Sequence, residues 1–277
     1  MTGVLWLHVG TRRTGTTSIQ QTCRRSNPVL RDAGLRYPGA DWGPHQVATA
    51  AGDGTAAEWI DKLPTEIDVL LSSEAFGKTS PEQRIALAKL IAPRWPSVRV
   101  VIYCREPVSF ATSVAQQAVR RRGRPLDVAV RKPVIYGFRR QLEGWIAAFG
   151  RENLIVRKFD RRSMIGGDVV DDFFHTIGYA DVIPRLTRVT ENVATSRQGL
   201  QAISDYTQKH GFRGGKRHDE TIARLMTIPG DGLRLPRETA REVIARSAAD
   251  LAYLEAEFGI TFDPPPGLAP PIPTAAP

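Results

Sequence analysis

The chain has few cysteines and no long apolar segment. Only Cys23 and Cys104 occur in 277 residues. Two cysteines are too few for the disulfide framework of a small secreted protein, so we expect a reducing, cytoplasmic setting. No apolar run reaches the roughly 20 residues that a membrane-spanning helix needs, so no membrane span is expected. The opening residues, MTGVLWLHVGTRRTG, lack the basic, apolar and small-residue regions of a signal peptide.

Lysine is also scarce, although the chain is basic. The formal net charge is +9, and 7 of the 38 basic residues are lysine while 31 are arginine. Nine basic residues and two acidic ones lie between Arg105 and Arg140, so most of the positive excess falls in 36 residues. Concentrated positive charge suits a ligand with several negative charges. A solvated helix face that ends in RRRGR explains any single one of these arginines equally well.

Short apolar runs alternate with helical patterns through the first two thirds of the chain. Strands are predicted at 4–9, 68–72, 98–104 and 154–156, with helices at about 16–25, 81–91, 107–119 and 136–149. Such alternation predicts an α/β fold with a parallel central sheet flanked by helices.

Further along, the sequence becomes helical. Helices at 168–177, 197–209 and 237–258 predict a helical C-terminal portion, and 211–235 is expected to be a surface loop with at most one short helix. Residues 1–262 are expected to form a single domain. Seven prolines in 263–277 predict an extended or disordered tail.

The most informative segment is GTRRTGTTS, from Gly10 to Ser18, between the first strand and the first helix. A glycine-rich turn that leads into a helix directs backbone N–H groups and the positive end of the helix dipole at one point, which makes an anion site. The pattern matches a nucleoside-triphosphate loop, except that Thr16 replaces the lysine that reaches the terminal phosphates. A simple helix cap would need only one hydroxyl, whereas here four cluster beside two arginines.

Two motifs resemble a known family. The segment Arg13 to Thr17, RTGTT, resembles the 5′-phosphosulfate loop of sulfotransferases, whose usual form is KSGTT, and LHVGTRRTGTTSIQ resembles the opening of many bacterial members. REPVSFATS places Ser113 eight residues after a strand-end Arg105, which is the spacing of that family's 3′-phosphate signature. Weaker likenesses follow at SSE (72–74), at 153–174 and at ENVATS (191–196).

The resemblance implies a three-layer fold like that of P-loop nucleotide hydrolases. It also implies transfer of a sulfuryl group from 3′-phosphoadenosine 5′-phosphosulfate (PAPS) to a hydroxyl or amine of a small-molecule, sugar or lipid acceptor, with release of 3′-phosphoadenosine 5′-phosphate (PAP). No metal is required, in agreement with the lack of a metal-ligand cluster in the sequence. The residues it assigns to the nucleotide are Arg12, Arg13, Thr14, Gly15, Thr16, Thr17, Ser18, Arg105 and Ser113.

Catalysis also needs a group that takes the acceptor's proton. Glu74 is the first candidate because it follows the strand 68–72 at the carboxyl edge of the sheet, where ligands of open α/β folds bind. His45 is the second, since its ordinary pKa already suits a base. Arg13 stands where the family commonly has lysine; it can stabilise a leaving oxygen but is a poor proton donor.

Two other functions are compatible with parts of the sequence. A P-loop nucleotide kinase would need a loop lysine and a strand-end aspartate for magnesium, and Thr16 and the SSE segment supply neither. A nucleic-acid-binding protein that uses 105–140 would need stacking aromatics among its basic residues, and RRRGR contains none. We therefore expect a nucleotide and a small acceptor as ligands, and no nucleic acid.

Overall fold

The computed structural model describes residues 3–38, 45–189, 195–212, 215–263, 265 and 268. The chain divides into two compact units. Unit 1 comprises Met1–Arg105 and Phe138–Glu191, and unit 2 comprises Glu106–Gly137 and Asn192–Pro277. The single domain expected over 1–262 stays a prediction.

A five-stranded parallel sheet forms the centre of unit 1. Its strands are β1 (Val4–His8), β2 (Leu35–Arg36), β3 (Asp68–Ser72), β4 (Ser97–Cys104) and β5 (Leu154–Lys158). The strand order is β2-β3-β1-β4-β5. The predicted parallel sheet flanked by helices is thereby confirmed. The edge strand β2 was not predicted, because two residues are too few to show an alternating pattern.

Helices account for most of the remaining described chain. In chain order they are α1 (Thr16–Arg25), α2 (Asn27–Asp32), α3 (His45–Asp53), α4 (Ala56–Ile60), α5 (Pro81–Ile91), α6 (Pro107–Arg122), α7 (Leu126–Arg131), α8 (Phe138–Phe149), α9 (Val169–Thr176), α10 (Arg197–His210), α11 (Lys216–Met226) and α12 (Arg237–Phe258). Unit 2 contains α6, α7, α10, α11 and α12, and unit 1 contains the others. The predicted loop 211–235 holds one helix, α11.

Helices α1 and α9 cover one face of the sheet. Their buried side chains, including Cys23 and Phe173, pack with Tyr103 of β4 in one apolar cluster. Asp172 of α9 is fully buried there and accepts hydrogen bonds from the Tyr103 hydroxyl (2.7 Å), Arg157 of β5 and the backbone N–H of Ile165 (3.0 Å). Burial opposes ionisation of Asp172, but these donors outweigh it and lower the pKa of the carboxyl. The hydrogen bonds of Asp172 therefore hold α9 against β4 and β5.

Helices α5 and α8 pack together elsewhere in unit 1. The buried Arg84 of α5 lies over the ring of Trp145 at 4.6 Å and donates to the backbone and side-chain oxygens of Gln141, at 3.1 and 2.5 Å. Phe76 meets Trp145 edge to face at 6.3 Å. Both aromatics are fully buried, so they are core residues of unit 1.

Unit 2 is helical, in agreement with the predicted C-terminal portion. Helix α6 packs against α7, α10 and α12, and the backbone N–H of Leu126 donates to the Ser204 hydroxyl of α10 at 3.0 Å. Most of the predicted tail 263–277 lies outside the described residues. Among the described helices of both units, none is long and apolar enough to cross a membrane.

His8 ends β1 inside the core of unit 1. Its side chain is fully buried, with Nδ1 2.7 Å from the Ser72 hydroxyl and the ring 4.9 Å from that of Phe173. Burial lowers the pKa of His8 to about 3 because the imidazolium would have to lose its hydration. The histidine is therefore neutral in the folded protein at neutral pH.

We expect His8 to make the fold sensitive to acid. The unfolded chain binds a proton at His8 near pH 6.5 and the folded chain only near pH 3, so stability falls as the pH is lowered through this window. His8→Asn keeps a hydrogen-bonding group near the Ser72 hydroxyl but does not titrate. Between pH 7 and pH 4 the wild type should lose up to about 3 kcal/mol more unfolding free energy than the variant. Urea unfolding at both pH values measures this difference, and an equal loss in both proteins would contradict the prediction.

Candidate functional site

The loop between β1 and α1, residues 9–15, is fixed to the end of β4. The backbone N–H of Tyr103 donates to the Gly10 carbonyl at 2.7 Å. The Tyr103 carbonyl in turn accepts from the N–H and the hydroxyl of Thr11, at 3.2 and 3.0 Å. Thr14 closes the turn through its hydroxyl, which donates to the Thr11 carbonyl at 2.6 Å. These hydrogen bonds therefore fix the conformation of the β1–α1 loop at the edge of the sheet.

Three residues of this loop have left-handed backbone conformations. They are Gly10 (φ 101°), Arg13 (φ 68°) and Gly15 (φ 75°). Glycine is required at position 15 for a second reason, since an added Cβ would lie 2.6 Å from Cγ1 of Val169. The second glycine of the motif thus lets the loop approach α9 closely.

Helix α1 begins directly after Gly15. Its N-cap makes no side-chain hydrogen bond, and the first turn contains no acidic residue. The first N–H groups of a helix have no partner within the helix, and they lie at the positive end of its dipole. The start of α1 consequently has the properties of an anion site.

Arg105 follows β4 and contacts the same loop. Its Nη1 donates to the carbonyl of Arg13 at 2.7 Å, and its guanidinium lies 5.4 Å from the ring centre of Phe159. Arg12 and Arg13 are half-buried in the loop itself. Three guanidinium groups therefore belong to the loop or to a residue bonded to it.

Glu74 lies on the other side of β1, at the start of a 3₁₀ helix (Glu74–Lys78) that follows β3. Ser73 begins this helix by accepting a hydrogen bond from the N–H of Ala75 at 3.2 Å. The Glu74 carboxylate is exposed, and its Oε2 accepts from the hydroxyl of Thr16 at 2.7 Å. A residue 58 positions away is thereby joined to the first residue of α1.

The remaining sequence-predicted residues occupy different surroundings. His45 is the exposed first residue of α3, a helix that packs against the 3₁₀ helix of Glu74. Ser18 is buried in the first turns of α1, and Thr17 is half-buried. Ser113 is buried on α6 and belongs to unit 2. The structure thus brings together Arg13, Thr16, Glu74 and Arg105 within unit 1.

Sequence reasoning missed two of these contacts. It assigned both Thr16 and Arg105 to the nucleotide, whereas the structure also bonds Thr16 to Glu74 and Arg105 to the carbonyl of Arg13. The one sequence signal for the contact between Thr16 and Glu74 was the neutral threonine at the position where a nucleoside-triphosphate loop has lysine. Within the described residues, no group of three or more metal-ligating side chains occurs.

Comparisons with known proteins add one finding. No family model and no curated protein matches the chain. Among solved structures, the chain is similar to a sulfotransferase from Alicyclobacillus acidocaldarius, with 16% identity, 93% of this chain and 96% of that chain covered, and a TM-score of 0.44.

We expect Gly15→Ala to destabilise unit 1 by about 2–4 kcal/mol. About 1 kcal/mol comes from the left-handed backbone, and the rest from the overlap with Val169. Gly178→Ala is the matched control, because Gly178 has φ 81° but open space around it, and it should cost about 1 kcal/mol.

The free energies of unfolding in urea measure both costs. Val169→Ala in the Gly15→Ala background removes the overlapping methyl groups, so the two changes should cost less together than the sum of their separate effects. Equal costs for Gly15→Ala and Gly178→Ala would contradict the predicted overlap.

Proposed function

We propose that this chain is a PAPS-dependent sulfotransferase that moves a sulfuryl group to a hydroxyl or amine of a small-molecule, sugar or lipid acceptor. The acceptor oxygen or nitrogen forms a bond to sulfur while the bond from sulfur to the 5′-phosphate oxygen breaks. The electron pair of that bond stays on the leaving phosphate, and the acceptor's proton goes to a base of the protein. The products are the sulfated acceptor and PAP, and no metal takes part.

One observation carries this proposal, namely the start of α1, where the N-cap makes no side-chain hydrogen bond, the Arg105 guanidinium is bonded to the preceding loop, and the Glu74 carboxylate is bonded to Thr16. Sulfuryl transfer, like phosphoryl transfer, passes through a loose in-line transition state in which negative charge grows on the leaving oxygen. Catalysis then consists mainly of positioning and of positive charge placed at that oxygen. The β1–α1 loop supplies both within a few residues.

Each backbone or side-chain group of the site has a separate task in this reaction. The backbone N–H groups of Gly15, Thr16 and Thr17 hold the 5′-phosphate, and Arg13 stabilises the leaving oxygen without giving up a proton. Arg105 binds the 3′-phosphate, and Arg12, Thr14 and Ser18 complete the nucleotide site. Glu74 takes the acceptor's proton, and His45 is the alternative base.

The position of Glu74 supports its assignment as the base. Its carboxylate is exposed, so an acceptor can reach it from solvent, and it is hydrogen-bonded to the first residue of α1. A base for in-line attack has to lie near the site where the sulfuryl group is held. His45 is also exposed and belongs to a helix that packs on the same 3₁₀ helix, which keeps it as the second candidate.

Nucleotide preference tests the proposal directly. Calorimetric titration of the purified protein should give a dissociation constant for PAP below about 1 mM and much weaker binding of ATP. A kinase would show the reverse preference, and a nucleic-acid-binding protein would bind neither nucleotide tightly. Either of these results would overturn the proposal.

Arg105→Ala separates recognition of the 3′-phosphate from support of the loop. Loss of a charge-assisted contact to that phosphate should weaken PAP binding about 10–100-fold. Binding of adenosine 5′-monophosphate, which lacks the 3′-phosphate, should change little. Arg246→Ala, an exposed arginine paired with Glu242 on α12, is the control. Equal losses for both nucleotides would show that Arg105 acts only through its bond to the Arg13 carbonyl.

Glu74→Gln should leave PAP affinity within about twofold of the wild type and reduce turnover at least about 100-fold, because an amide cannot accept the proton. Release of labelled sulfate from PAPS, with water as the acceptor, measures turnover. Glu143→Gln on α8, an exposed carboxylate paired with Arg139, is the matched control. Full turnover in Glu74→Gln together with its loss in His45→Ala would transfer the role of base to His45.

A further inference from the structure

We propose that the Thr16 side chain is a positioning residue, which holds the Glu74 carboxylate beside the donor site while the Thr16 backbone binds the donor. This inference rests on the proposed function and assigns a task to the Thr16 hydroxyl, since the proposed function uses only the backbone of that residue. It also gives a physical reason for the absence of lysine at this position of the loop.

The contact itself is well defined. The Thr16 hydroxyl is 2.7 Å from Glu74 Oε2, and Thr16 is only 4% exposed. Because threonine is branched at Cβ and Thr16 is part of a helix, its χ1 angle has few alternatives. The Thr16 hydroxyl, which donates the hydrogen bond, is therefore held rigidly. The Glu74 carboxylate, which accepts it, belongs to a long side chain that faces solvent.

Few other contacts restrain the Glu74 carboxylate. In the ranges of the chain that the structure describes, its one hydrogen bond comes from Thr16. The backbone of Glu74 also lies near the loop, since a Cβ added to Gly10 would be 3.7 Å from Glu74 Cα. The main chain thus places Glu74 next to the loop, and the Thr16 hydroxyl selects one direction for the carboxylate.

The charge of the side chain that donates a hydrogen bond to Glu74 matters if Glu74 acts as a base. A lysine at position 16 would place an ammonium beside Glu74, and the resulting ion pair would reduce the readiness of the carboxylate to accept a proton. A neutral hydroxyl orients the carboxylate without adding a positive charge. It also bonds only Oε2, and we assign Oε1 to the acceptor's proton.

The direction of the Glu74 carboxylate can be observed without any substrate. Crystal structures of the full-length wild type and of Thr16→Val should show one position for the carboxylate in the wild type and more than one in the variant, because valine lacks the hydroxyl that donates to Oε2. Thr16→Ser keeps the hydroxyl and should show the wild-type position. An unchanged, single position of the carboxylate in Thr16→Val would overturn the inference.

Kinetics provide the second readout. Thr16→Val should release sulfate from PAPS about tenfold more slowly, while PAP affinity stays within about twofold. Thr16→Ser should recover most of the rate. Thr221→Val is the matched control, because Thr221 is half-buried on α11 and its hydroxyl donates to the Arg217 carbonyl at 2.9 Å. If Thr16→Val folds poorly, Thr16→Ala serves the same comparison.

The outcomes distinguish this inference from the proposed function. Loss of PAP affinity in Thr16→Val at an unchanged rate would show that the hydroxyl serves the donor, which overturns the inference alone. Failure of the wild type to bind PAP would overturn the proposed function, whatever position the Glu74 carboxylate takes in the crystal structures. Thr16→Lys adds a final check, since it should abolish turnover while the protein stays folded. Undiminished turnover in that variant would also overturn the inference.

Discussion

The central position of β1 in a parallel sheet is the constraint on which the candidate site depends. With β3 on one side and β4 on the other, the carboxyl ends of three strands meet at one edge. Glu74 follows β3, the β1–α1 loop follows β1, and Arg105 follows β4. Residues that are 58 and 92 positions apart in the chain are hydrogen-bonded there. No single segment contains this chemistry, and the strand order creates it.

The electrostatic character of the site follows from the same arrangement. Positive charge comes from the start of α1 and from guanidinium groups, and the bond to the Arg13 carbonyl holds the Arg105 guanidinium on the β1–α1 loop. The negative group, Glu74, is linked to this region through a neutral hydroxyl. The site therefore combines an attractive field for an anion with a carboxylate that forms no ion pair with any residue that the structure describes.

The sequence predicted the main elements well because their signals are local. The short apolar runs of β1, β3 and β4 and the helical spacing of α5 each involve neighbours in the chain. The β1–α1 loop was found for the same reason, since its glycines and hydroxyls are consecutive.

The contacts that give the site its detail could not be predicted in this way. The bond from Thr16 to Glu74 depends on the register of β1 with β3, and the bond from Arg105 to Arg13 depends on a left-handed residue. Neither leaves a periodic pattern. Ser113 illustrates the opposite case, because its spacing from Arg105 was evident in the sequence, while the structure assigns it to a helix of unit 2. Its role in nucleotide binding stays a prediction.

The left-handed backbone of Arg13 has a consequence for how this protein can change. A side chain other than glycine in that conformation costs about 1–2 kcal/mol, so glycine would relax the loop. The same substitution would remove the guanidinium from the start of α1. Selection for thermal tolerance and selection for anion binding therefore oppose each other at this residue, and a laboratory search for heat-resistant variants that ignores activity should replace Arg13 early.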